Sequence, residues 1–134
     1  VVVSLVEADR IRSLTGVRLA LDPGLTVIVG PNGAGKTNLV ESIYFGLTSR
    51  SFRTSDRRDL IPFGSSFARC RVTVSGGSVD HVFMSSASRA EGNRFVMDGA
   101  RIDQAEAMNH RPMVTVFSPD RLELVKGPPA GRRA

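Results

Sequence analysis

Residues 30–37 constrain this chain more than any others. Gly30, Pro31, Asn32, Gly33, Ala34, Gly35, Lys36 and Thr37 match the pattern G-x-x-x-x-G-K-[ST] in full. A polyphosphate must meet several backbone N–H groups at once, so the loop around it has to curl with little side-chain bulk, which Gly33 and Gly35 permit. A helix starting near Lys36 would direct its unpaired N–H groups and the positive end of its dipole at the anion. Lys36 is then placed to bridge the β- and γ-phosphates, and Thr37 to hold Mg²⁺ through its hydroxyl. The pattern needs a strand before it and a helix after it. Residues 25–29 are a short apolar, β-branched run, expected as a strand buried on both faces. Leu39, Val40, Ile43, Tyr44 and Leu47 recur at helical spacing up to about residue 48. The expected ligand is ATP with Mg²⁺.

The remaining segments read as a mixture of strands and short helices. Residues 1–6 and 17–21 are expected strands, the second followed by an Asp22-Pro23-Gly24 turn. Residues 67–74 and 79–84 form an expected hairpin across Ser75-Gly76-Gly77-Ser78, and residues 85–92 a polar, mobile loop. A second hairpin is expected from residues 94–97 and 100–102 around Asp98-Gly99. Residues 103–109 suit a short helix with Asp103 as its N-cap. Residues 113–117 suit a further buried strand, and Ser118-Pro119-Asp120 the opening of a helical turn. The segment ending at Arg132-Arg133-Ala134 has no closing element and reads as a chain cut off.

Composition narrows the function classes. The 134 residues carry 18 Lys and Arg against 13 Asp and Glu, a net charge of +5, and 41 % are hydrophobic, enough for the core of one domain or one lobe. Only Lys36 and Lys126 are lysines, and the other cations are arginines. Planar guanidinium forks suit an anionic partner, although codon bias gives the same composition. Arg50, Arg53, Arg57 and Arg58 cluster in a polar stretch, where they could touch DNA phosphates or form a solvated surface balanced by Asp56 and Asp59. Phe52 in that stretch is expected to be buried rather than stacked on a base. The single cysteine, Cys70, excludes an internal disulfide framework and a cysteine-based zinc site, and reads as a small buried apolar residue. His81 and His110 read as structural or solvent-facing. No run approaches the ~18 apolar residues of a membrane span, and Val1-Val2-Val3 lacks the features of a signal peptide. A soluble, cytoplasmic protein with no membrane partner is expected.

The run from Gly30 to Ile43, "GPNGAGKTNLVESI", resembles the ABC-type ATPases of chromosome biology, the SMC and RecF group. Arg10-Ile11-Arg12-Ser13 is similar to that group's F-R-S/N segment, with Ile11 in place of the usual Phe. Arg50-Ser51-Phe52-Arg53-Thr54, Leu60-Ile61-Pro62-Phe63-Gly64 and the stretch from Val116 to Pro129 resemble its RecF branch, in the same order. The resemblance implies an α/β P-loop NTPase fold, an ABC-type ATPase head lobe with a mixed sheet and antiparallel β-hairpins. It implies nucleotide contacts from residues 30–37, Asn38 and Arg12, with Ser13 beside them, and catalytic roles for Lys36 and Thr37. It further implies a DNA replication and repair protein of the DNA-damage (SOS) response, with DNA at single-strand gaps or single/double-strand junctions as a partner. Other recombination mediators and an ATP-dependent homodimer of the full-length protein belong to the same expectation.

Two parts of the ABC apparatus are missing from the sequence. An apolar strand ending in paired acids (Walker B) and an L-S-G-G/Q signature are both absent. Phe95-Val96-Met97-Asp98 is followed by Gly99, which suits a turn instead, and Ser118-Pro119 separates residues 113–117 from Asp120. A role for Ser118 or Asp120 with Mg²⁺ or water competes with a plain helix-start acid. Residues 1–134 are therefore expected to be the N-terminal ATP-binding lobe of a longer protein. Full-length relatives would be weak DNA-dependent ATPases, and this stretch alone would be inactive. The alternatives are a non-catalytic nucleotide-binding module and the head lobe of another SMC-like ATPase.

Overall fold

Strand β3, Phe67–Ser75, alternates inward and outward residues, and this period of two defines the two faces of the fold. The computed structural model describes residues 1–31 and 33–117. β3 lies between β1 (Val2–Asp9) and β4 (His81–Ser88). β2 (Val17–Ala20) extends the sheet beyond β1, and β5 (Gly92–Met97) and β6 (Ala100–Arg101) extend it beyond β4. The order is β2-β1-β3-β4-β5-β6, and every pair is antiparallel. The registers Val6↔Val72, Ala8↔Cys70, Val72↔Phe83 and Cys70↔Ser85 bring small and apolar side chains to one face. Helix α1 (Lys36–Thr48) packs there, burying Phe45 and Leu47, and Ile11, Leu60 and Ile61 close the core. Full burial of a side chain such as Phe45 or Phe83 contributes about 1.5–3 kcal/mol.

Small residues set how closely α1 approaches the sheet. A Cβ at Gly46 would lie 2.5 Å from Val72 Cγ2 and 3.3 Å from Cys70 Sγ. Beneath it, the buried Ser85 donates its hydroxyl to the Gly46 carbonyl at 3.2 Å. This contact explains why residues 85–92 are not the mobile loop expected from their polarity. Ser85 and Ala87 face inward, and β4 continues to Ser88, because only small side chains fit under the helix. The helix face is also not the expected stripe. Glu41, Ser42, Phe45 and Gly46 are buried, whereas Val40 is exposed and Leu39 and Ile43 are half-buried.

The second hairpin and the short helix match expectation. Asp98 takes a left-handed φ of 52° at the β5–β6 turn. Its carboxylate accepts the Val82 N–H at 2.8 Å and contacts His81 Nδ1 at 2.7 Å. The His81 hydrogen bond holds the Asp98 carboxyl below the usual carboxylate range. His110 lies with its ring centroid 4.9 Å from that of His81 and is itself exposed. α2 (Gln104–His110) starts at Asp103 with a reciprocal capping box to Glu106. Phe52 packs edge-on against Tyr44 at 5.6 Å.

Two expected strands differ. Residues 25–29 and 113–117 adopt no regular element, and Leu25, Val29, Met113 and Phe117 are each more than four-fifths exposed. An apolar run becomes a strand only when a neighbouring backbone offers a pairing edge, and neither run pairs with the six-stranded sheet. The described sheet is accordingly antiparallel throughout rather than mixed. Residues 118–134, including the turn at Ser118-Pro119-Asp120, lie outside the described residues. Among the described residues, no helix is long and apolar enough to cross a membrane.

Gly46→Ala is expected to destabilise the fold by about 1–3 kcal/mol, the usual result of overpacking. It does so although Ala favours a helix by about 1 kcal/mol over Gly. The shift of the urea midpoint measures it. Burial pushes the Cys70 thiol up to about 12, so thiol-alkylating reagents at pH 8 are expected to label it only after denaturation.

Candidate functional site

The phosphate-loop pattern becomes a cradle because of two glycines and a bare helix end. Gly33 and Gly35 take φ of 84° and 97°, a region costly for side-chain-bearing residues. The Ala34 N–H bonds to the Pro31 carbonyl at 3.2 Å and closes the turn. Gly35 caps α1 without a side-chain hydrogen bond, and no acid lies in the first turn. The Leu39 N–H reaches the Gly35 carbonyl at 2.9 Å. Helix geometry therefore leaves the N–H groups of Lys36, Thr37 and Asn38 without intrahelical partners, at the positive end of the dipole. The Lys36 ammonium donates to the Gly30 carbonyl, which holds it across the loop. A cavity of about 300 Å³ opens here, lined by Gly33, Gly35, Lys36, Thr37, Asn38 and Arg53. Asn32 lies outside the described residues.

The segment after β1 reaches the same place. Arg10 and Arg12 take φ of 65° and 50°, and paired backbone bonds between Ile11 and Leu14 close a tight turn. That turn packs on the loop: a Cβ at Gly35 would meet Leu14 Cδ2 at 3.3 Å and Ser13 Oγ at 3.4 Å. Asn38 Nδ2 donates to Ser13 Oγ at 2.7 Å. Arg12 and Ser13 thus lie beside the loop, but the Arg12 guanidinium is turned to Glu41 rather than into the cavity.

Glu41 organises the site and was not expected from the sequence. Its side chain is fully buried. It accepts from Arg12 Nε at 2.5 Å, Arg12 Nη2 at 3.2 Å, Arg53 Nη1 at 3.2 Å and Ser51 Oγ at 2.6 Å. Arg53 also donates to Asn38 Oδ1 at 2.8 Å. The signal in the sequence was a carboxylate four residues before Phe45, on what became the buried helix face. A charge there requires a buried partner.

The arginine stretch divides. Arg53 lines the phosphate cavity. Arg57 donates to the Ser49 carbonyl, and Arg58 pairs with Asp56 at 2.9 Å, which lowers the Asp56 carboxyl below its ordinary range. Arg50 is exposed. Three of the four are thus engaged by protein partners and Arg50 is left exposed.

The profile of the RecF/RecN/SMC N-terminal domain family matches residues 2–117. Among curated proteins, the chain is 40 % identical over 125 residues to the DNA replication and repair protein RecF of Lacticaseibacillus casei (strain BL23). That match covers 91 % of this chain and 33 % of the relative, so the chain spans about a third of that relative's length. Among solved structures, it superposes on the recombination mediator protein RecF–ATP of the RecFOR pathway with a TM-score of 0.84 and 26 % identity, over 98 % of this chain and 35 % of that one. A structure from work on ATP-driven dimerisation and DNA-stimulated activation of SMC ATPases superposes with a TM-score of 0.78 at 23 % identity, covering 98 % of this chain and 95 % of that one. At that identity it shows the shared fold.

Removal of the carboxylate in Glu41→Ala is expected to cost about 1.5–3 kcal/mol, the range for charge-assisted hydrogen bonds. Arg12 and Arg53 are part-exposed and can turn to solvent, which limits the loss. Chemical denaturation monitored by far-UV dichroism measures it.

Proposed function

Because the chain belongs to the RecF/RecN/SMC N-terminal domain family, we propose that it is the N-terminal ATP-binding lobe of a RecF-type DNA replication and repair protein. The observation that carries this reading is the cradle at α1: unpaired N–H groups of residues 36–38, the Lys36 ammonium and the Arg53 guanidinium around one cavity. This donor set is cationic and curved around a space sized for a polyphosphate. Lys36 would neutralise phosphate charge and the backbone N–H groups would fix its orientation. The exposed Thr37 hydroxyl suits one Mg²⁺ ligand, the rest coming from phosphate oxygens and water. Arg53 joins this set, so we assign it to the nucleotide rather than to DNA.

The uncovered apolar runs at residues 25–29 and 113–117 support the reading as one lobe of a longer protein, since each has the composition of a strand and neither pairs with the described sheet. The reading includes ATP-dependent pairing of two full-length copies, with bound ATP acting as a clamp, and the likeness to a structure from work on ATP-driven dimerisation of SMC ATPases supports it. The same reading extends to DNA gaps or junctions and other recombination mediators as partners, and to a cytoplasmic location. Catalysis in such a site is mainly positioning and charge neutralisation. Lys36 and Thr37 supply one half of it, and the acid and signature motif absent from this sequence would supply the other.

Lys36→Ala is expected to weaken ATP binding ten- to hundred-fold, from about 1.5–3 kcal/mol for one charge-assisted contact. Calorimetric titration of both proteins decides it, and equal affinities would overturn the role given to Lys36. Residues 1–134 alone are expected to release phosphate from ATP no faster than the Lys36→Ala background. A clear Lys36-dependent turnover would mean that the catalytic acid lies within this stretch.

A further inference from the structure

The strand registers gather a second set of arginines on the sheet face opposite α1. Cross-strand pairs share a face, so two rows can be traced. One runs Arg18, Glu7, Arg71, Met84, Val96, Arg101 from β2 to β6. The other runs Asp9, Arg69, Ser86, Arg94. At the end of β1, the Arg10 guanidinium joins them, 5.4 Å from the Phe67 ring centroid, with Arg69 at 5.3 Å from the same ring. Six arginines therefore share this face with the strand carboxylates Glu7 and Asp9, and a third carboxylate, Glu91, borders it between β4 and β5. Glu7 is held by Arg18 and Arg71 at 4.0 and 3.9 Å, and Asp9 by Arg69 at 2.7 Å. Among the described residues Arg94 and Arg101 have no carboxylate partner, and both are exposed. They line a cavity of about 420 Å³ with Phe67, Arg69, Ser86 and Asn93.

We propose that this arginine-lined outer face of the antiparallel sheet docks the sugar–phosphate backbone of DNA. The proposal rests on the reading of the chain as part of a DNA repair protein and adds where the DNA lies. Uncompensated like charges on one face repel each other and are relieved by a polyanion. The face spans five interstrand gaps of about 4.8 Å, roughly 24 Å. Duplex DNA carries one charge per ~3.4 Å along each strand, so several phosphates fit its width. Guanidinium forks and serine hydroxyls are phosphate ligands. The Phe67 ring pre-positions two of the forks through cation–π contacts. An acidic peptide would instead seek an apolar anchor pocket or a free strand edge; here Arg69, Arg94 and Arg101, with serines and Asn93, supply the polar lining, while Phe67 and Met84 are its large apolar side chains and Glu91 its one carboxylate.

The test uses the full-length protein with ATP and a fluorescent duplex, read by anisotropy at several salt concentrations. The Arg94→Glu/Arg101→Glu protein is expected to bind at least about ten-fold more weakly than wild type, equally for all base sequences. Its log K against log salt is expected to be about two units flatter, one for each lost phosphate contact. Arg94→Gln/Arg101→Gln should fall between, with ATP affinity unchanged in both. Arg50→Glu/Arg58→Glu, on the other arginine stretch, should bind DNA like wild type. Wild-type affinity and slope in the sheet variants, or a loss confined to the Arg50/Arg58 protein, overturns the surface while leaving the DNA-repair reading standing. Displacement of the duplex by poly-glutamate at equal charge concentration would assign the face to an acidic protein. Absence of DNA binding by the wild type, with ATP binding intact, would sink the DNA reading itself.

Discussion

One buried carboxylate holds the site together. Glu41 sits on the sheet-facing side of α1 with its charge removed from water, and four hydrogen bonds from Arg12, Arg53 and Ser51 replace its hydration. An ionised group in that position is tolerable only when fully partnered. The partners come from two separate segments, the turn after β1 and the stretch after α1, so satisfying Glu41 draws both to the phosphate loop. The short chain of contacts from Arg53 to Asn38 to Ser13 then ties these segments to the first turn of the helix. Structural and ligand-facing roles meet in Arg53, one of whose donors serves Glu41 while the side chain borders the cavity.

α1 carries two demands at once. Its first turn must stay free of side-chain caps and acids so that its N–H groups face an anion. Its body must lie close enough to the sheet for the loop to be rigid. Gly46 against Val72 and Ser85 meets the second demand, because a helix carrying any Cβ there could not approach to the same depth. The small inward residues of β4, Ser85 and Ala87, follow from that approach.

The arginines sort into two populations with different electrostatic roles. Arg12, Arg53, Arg57 and Arg58 end on carboxylates or backbone carbonyls and hold segments in place. Arg94 and Arg101 look outward, with no carboxylate partner among the described residues, over a face where Arg18, Arg69 and Arg71 already take Glu7 and Asp9. An arginine count cannot separate these populations, since the difference is which acids come within reach after folding.

The phosphate loop, the helix it opens, the hairpin at Asp98-Gly99 and the cap at Asp103 were all legible in the sequence. Each depends on local chemistry: glycine conformations, a capping oxygen, or periodicity within one element. The buried face of α1, the extension of β4 through Ser88 and the role of Arg53 were not. They depend on which residues from distant segments come to surround a position, as Glu41 does with Arg12 and Arg53. The runs at residues 25–29 and 113–117 mark the same boundary from the other side. Their apolar, β-branched composition specified a need for burial, but only a neighbouring strand edge can turn that need into a strand, and that edge is a property of tertiary structure.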